Sequence, residues 1–309
     1  MNILNLLIVS EPGRDGVFSI VDSIIRQIHS RHPEIRIDFA YSIPGALLVL
    51  LAMLVLMPMA SAATRTWTGG GGTGNWGTGN NWGGINNAPN GADDLVFAGT
   101  TQLNTTNNLS GTALSETGFL FQTTAGAFTL NGTAMTLTSY ITNNSANIQT
   151  INLGVIMGAA LTIAANSNDI VMNGVLSGGF GFTKTGNNAL IFANTNTYTG
   201  TTTISGGSIQ LTSNGTTNGT LGTNNVVNNG QLVFNRANSY SVSNAISGTG
   251  TLIQQGTGTT VLVGSNSYSG GTVLNAGTMA LQTNTAIGTG AVTFASNSTT
   301  LQVLSLIHI

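Results

Sequence analysis

An internal repeat constrains the fold of this chain more than any other feature. Slid against itself, the sequence matches at an offset of 70 residues, so that 175–214 fall on 245–284 without a gap. Asn196, Tyr198, Gly200, Thr202 and Gly207 fall on Asn266, Tyr268, Gly270, Thr272 and Gly277. Leu176/Ile246, Phe182/Leu252, Ile191/Val261, Ile204/Leu274 and Ile209/Met279 agree in apolar character. Glycines, one tyrosine and inward-type aliphatics are the positions that fix turns and core. A coil of short strands leaves its backbone edges and its apolar row unsatisfied until the next coil stacks on it. The repeat therefore predicts a solenoid, with Tyr198 and Tyr268 stacked in equivalent coil positions.

Local patterning agrees. From 64 to 303 short alternating segments recur, among them Leu95-Val96-Phe97, Met135-Thr136-Leu137-Thr138 and Gln231-Leu232-Val233-Phe234, separated by Asn-Gly, Gly-Gly and Asn-Asn pairs, which are turn chemistry. No stretch of twelve shows a helical face, so the fold class is all-β. Charged residues make up 5% of the chain, against about a quarter in an ordinary globular protein. Stacking explains the scarcity: charges repeated about every 4.8 Å repel, whereas outward Thr and Asn form ladders. A sandwich or barrel would carry more charge and ranks second. The hydrophobic fraction of 41% argues against disorder, and a net charge of −2 gives no footprint for nucleic acid. Cysteine is absent, so no disulfide framework exists.

At Thr251 to Leu281 the residues resemble a known family. The Asn266-Ser267-Tyr268-Ser269-Gly270-Gly271-Thr272 core, followed by Gly277 before an apolar strand, is similar to the autotransporter-associated β-strand repeat, and Asn196 to Thr202 with Gly207 forms a second copy. The resemblance implies a right-handed parallel β-helix in an exported passenger. It divides the chain into a solenoid region at 63–173 and two repeats at 174–244 and 245–303. It also implies a structural or adhesive surface role without catalysis or cofactor, with a cell-surface or matrix polysaccharide, or a host surface, as partner. A β-barrel or sorting tail is expected in the full-length protein.

The stretch up to Ala62 is of another kind. Residues 1–42 read as strand (3–9), Gly-containing loop, helix (17–29) and strand (35–41). They resemble the opening βαβ unit of a family 4-type glycosyltransferase, without the donor-binding domain, and one such unit cannot bury both faces of its sheet. Residues 43–62 carry no charge and end in Ala60-Ser61-Ala62. That is the pattern of a secretory leader cleaved after Ala62, before Ala63, rather than of a transmembrane anchor. No basic residue lies just ahead of the apolar core, which marks 1–42 as a foreign leader. The tail 304–309 breaks the Thr/Asn/Gly style and reads as foreign too.

Catalytic candidates are few. After Ala62 the carboxylates are Asp93, Asp94, Glu116 and Asp169. Asp93 and Asp94 would face opposite ways on a strand and read as a solvated turn. The histidines, His29, His32 and His308, lie in the two foreign segments, so neither a serine triad nor a zinc site can be assembled. No Gly-Gly-x-Gly-x-Asp calcium repeat occurs, and Gly69 to Gly74 is a flexible turn rather than a phosphate loop. Trp67, Trp76 and Trp82 read as a cap on the N-terminal end of the solenoid, with sugar stacking as the alternative. Thr201-Thr202-Thr203 and many Thr-x-Thr pairs raise ice binding as an alternative, which needs a flat, evenly spaced Thr array, whereas only Thr202 and Thr272 recur in register.

Overall fold

A computed structural model describes residues 6–8, 37–39, 63–84, 87–109, 115–214 and 217–304. The chain divides into two compact units, Met1–Met59 and Ala60–Ile309. In the first, Leu6–Ile8 and Ile37–Phe39 pair in parallel with Leu6 opposite Ile37, as a strand–crossover–strand unit requires. The helix read over 17–29, the leader with Ala60 and Ala62, and the tail beyond Leu304 lie outside the described residues. Among those described, no helix is long and apolar enough to cross a membrane.

The second unit is a parallel β-solenoid with three faces. The first face stacks, among others, Asp94–Phe97, Ser115–Phe121, Met135–Asn143, Leu161–Ala165, Phe182–Thr185, Thr202–Ile204, Val226–Asn228 and Ile246–Ser247. The second runs through ten strands from Asn104–Asn107 to Val292–Phe294. The third lies, in chain order, between the second face of one coil and the first face of the next. It holds Val155–Met157 and Leu176–Gly178, and later Tyr240–Val242, Thr259–Leu262, Thr278–Leu281 and Thr300–Val303. Alternation sends every second side chain inward. One inward row of the second face is Leu190, Ile209, Leu232 and Leu252, each opposite the next in register and wholly buried.

Register fixes the length of a coil. Leu161 pairs with Phe182, Phe182 with Thr202 and Val226 with Ile246, and a single coil of chain separates each pair. The step from Thr202 to Val226 is longer, because Ser208–Asn214 runs on into a hairpin with Thr217–Asn218. The internal repeat is thus three coils and one face. Leu176 on the third face maps to Ile246 on the first, Phe182 on the first to Leu252 on the second, and Ile209 on the second to Met279 on the third. Each repeat turns its pattern one face further round the prism.

This corrects two expectations. Tyr198 and Tyr268 do not occupy equivalent coil positions: Tyr198 precedes Thr202 of the first face, and Tyr268 precedes Thr272 of the second. Thr202 and Thr272 stand in different ladders and are 1% exposed, so they offer nothing to ice. The repeat conserves local geometry, a turn and the strand after it, and all three corners of a triangular coil can host that geometry. Ile191 and Val261 also point outward, half-exposed, while their neighbours Phe192 and Leu262 fill the core.

Candidate functional site

The signature residues build joints between coils. Asn196 Oδ1 accepts from Leu176 N at 2.8 Å in the preceding coil, and its Nδ2 donates to Thr220 O at 2.8 Å in the following one. Asn266 spans Ile246 N and Ala286 O in the same way. Tyr198 and Tyr268 are buried, and their hydroxyls meet Thr202 Oγ1 and Thr272 Oγ1 at 2.7 Å. Gly207 and Gly277 take left-handed φ of 62° and 63°, where a side chain would be strained. A Cβ on Gly200 would stand 2.0 Å from Gly181 N, and one on Gly270 2.4 Å from Thr249 O. These residues bridge and turn the chain; buried as the Asn, Tyr and Thr are, they cannot meet a ligand.

Lys184 and Gln254 occupy matching positions of the two repeats. The Lys184 ammonium, wholly buried, donates to Thr185 O, Gly186 O and Gly206 O at 2.6, 3.1 and 3.2 Å. Gln254 Nε2 donates to Gly256 O and Gly258 O at 2.9 and 3.2 Å. Both gather the carbonyls of a tight corner. Burial pushes the Lys184 ammonium down to about 8, against the attraction of Asp169.

At the N-terminal end Trp67, Trp76 and Trp82 are wholly buried. Trp82 meets Trp67 and Trp76 edge-on, with centroids 5.0 and 5.6 Å apart, and Phe97 packs against all three. Each indole N–H is satisfied, by Thr101 O, Thr105 Oγ1 and Trp76 O. The three rings therefore lie inside the first coils and present no face to a sugar.

Beside them the structure corrects the reading of Asp93 as solvated. Asp93 is wholly buried and its Oδ2 accepts from Arg65 Nε at 2.8 Å. Its own N–H donates to Glu116 Oε2 at 2.6 Å, and Gly91 N reaches Glu116 Oε1 at 3.2 Å. The loop before Asp94 folds back onto the next coil, and that turn takes Asp93 out of water. Burial is the main reason the Glu116 carboxyl is pushed up to about 7, with the Asp93 charge adding to it. Asp94 accepts instead from Tyr140 Oη at 2.8 Å. Among the described residues no group of three or more His, Cys, Asp or Glu could hold a metal.

The outer surface carries the remaining arrangement. Asn131 Nδ2 donates to Asn104 Oδ1 at 2.6 Å, Asn152 to Asn131 at 2.7 Å and Asn173 to Asn152 at 2.8 Å. Asn194 extends the line by donating to Asn173 O at 2.9 Å. Alongside runs the outward row of the second face: Thr150, Val171, Ile191, Gln210, Val233, Ile253 and Val273 stand opposite one another in successive coils, half-buried except for Val233, which is buried. An amide ladder beside a row of mostly aliphatic residues makes an uncharged strip along the solenoid.

Residues 182–211 and 252–281 match the passenger-associated-transport-repeat family, with the same spacing as the self-match. The two stretches are therefore similar to autotransporter passenger repeats. The chain is also similar to the adhesin BmaC autotransporter of Brucella suis biovar 1 (strain 1330), 33% identical over 152 residues. That match spans 49% of this chain and 4% of the adhesin's length. No solved structure matches.

The passenger repeats alone do not reveal the amide ladder, because it begins before them. Its signal was in the sequence: Asn131, Asn152, Asn173 and Asn194 recur at one constant spacing, that of a coil. The offset of the longer repeat hides that shorter spacing, since it is not a whole number of coils. The outward row Thr162, Thr183 and Thr203 on the first face was hidden in the same way.

Proposed function

We propose that this chain is the non-catalytic, adhesive part of an exported surface passenger. Its uncharged outer strip is the binding surface, and a neutral polysaccharide of the cell surface or matrix is the partner. The amide ladder carries the reading. Between rungs Asn152 uses one amide hydrogen and one oxygen lone pair, Asn173 one amide hydrogen and Asn104 one lone pair, leaving further donors and acceptors for hydroxyls. The neighbouring Val171 and Ile191 suit the C–H face of a sugar ring. With no charge in the strip, a neutral ligand fits better than a polyanion, and the similarity to an adhesin points the same way. Co-sedimentation of the full chain with insoluble cellulose and chitin, and with calcium pectate as the anionic control, tests it. The expected result is binding to a neutral polymer that is unchanged by added salt and lost in an Asn152→Ala/Asn173→Ala double variant. Unaltered binding by a double variant with a native circular-dichroism spectrum would count against the strip, as would binding to pectate alone.

A further inference from the structure

Ala63 follows the Ala60-Ser61-Ala62 pattern, and its backbone is held at both ends. Its N donates to Asp93 Oδ1 at 3.0 Å, and its carbonyl accepts from Asp94 N at 2.9 Å. Asp93 Oδ2 takes Arg65 Nε at 2.8 Å and Asn90 N at 3.2 Å, and Arg65 is further held by Asn87 and Asn90. Two carboxylates, Asp93 and Glu116, are thus wholly buried and joined through the Asp93 N–H. Among the described residues the ion pair of this cluster is that of Arg65 with Asp93, so two acids share one cation. An uncompensated buried charge is costly, which agrees with the raised proton affinity of Glu116.

We propose that cleavage after Ala62 supplies the second cation, so that the mature N-terminus becomes an ionic staple on Asp93 that locks the tryptophan cap. In this step water adds across the Ala62–Ala63 amide under a leader peptidase. Ala62 keeps the carboxylate, and Ala63 retains the amine, which takes up a proton. The nitrogen already stands 3.0 Å from Asp93 Oδ1, so an ordinary hydrogen bond becomes a charge-assisted one with little movement. The N-terminal face of the solenoid is then completed by export itself, and the unprocessed chain keeps a looser cap. The inference rests on the export reading.

The full chain, exported from a bacterial host, is compared with an Ala60→Leu/Ala62→Leu variant that a peptidase requiring small residues will not cut. Mass spectrometry should find the mature chain beginning at Ala63. Its Tm should exceed that of the uncut chain by several degrees at pH 6. An α-amino group ordinarily titrates at about 8, and Asp93 raises that value in the folded protein. The extra stability is therefore complete below about pH 8 and lost as pH rises through the raised value. Asp93→Asn should abolish the difference between cut and uncut chains; chemical acylation of the mature amine should do the same if that variant fails to fold. A mature terminus at another residue overturns the proposal together with the assigned cleavage site. A terminus at Ala63 with no gain in Tm, or a gain indifferent to pH, overturns the staple and leaves export standing.

Discussion

Lys184 shows how a single residue can be read against its own copy in the next repeat. A lysine on an inward row looks like a fault, yet its ammonium is caged by three carbonyls, where Gln254 holds a corner of the same kind with a neutral amide. The charge therefore costs desolvation that glutamine avoids. Because burial pushes the folded ammonium down to about 8 from 10.5, the folded protein releases its proton before the unfolded chain does. Stability should rise as pH climbs from about 8 to 10.5, and below 8 the burial cost is present in full. Lys184→Gln should remove that slope and match or exceed the parent at neutral pH, by at most about 3 kcal/mol. Thermal melts of both proteins from pH 7 to 10.5 provide the check, and a Gln variant that melts well below the parent would refute the equivalence of the two corners.

At the scale of the strand, stability lies in inward rows that no element owns. Leu232 stands in register between Ile209 and Leu252 and is wholly buried. Truncating it empties space that neighbours in both adjoining coils line, and rigid stacking limits relaxation. Leu232→Ala should cost about 2–5 kcal/mol, read from urea unfolding monitored by circular dichroism. Its neighbour Val233 points to the other side of the strand and, though buried, is not part of the central core, so Val233→Ala should cost less. The strands were legible as short alternating runs, and Gln231–Asn235 emerged close to its predicted extent. What those runs could not show is which coil each row faces.

For the whole molecule, the coil rather than the repeat is the unit that can be removed. Phe182 and Thr202 are partners in register, so deleting 182–201 joins Gly181 to a residue that enters the first face at the same point. The shortened chain should keep a β-rich spectrum and a cooperative melt at lower temperature, as expected when stability is a sum over nearest neighbours. Deleting 182–191 instead moves every later strand off its face and should give an aggregated or unfolded product. If both deletions behaved alike, the three-faced register would be wrong.

The sequence by itself determined the architecture and its punctuation. Repeated glycines at 207 and 277, the Asn/Thr-rich surface and the near absence of charge leave stacked parallel coils as the arrangement that satisfies every edge. It also marked Asn196, Tyr198 and their copies as special. Only the tertiary structure decided that one repeat spans three coils and one face, that Thr202 and Thr272 are buried on different ladders, and that Asp93 leaves water to meet Arg65. The physical reason is one of range. Turn and strand preferences are local and recur at any corner of the coil. The face a residue occupies, and the partner it meets, depend on the summed length of all the coils between, including one lengthened by a hairpin.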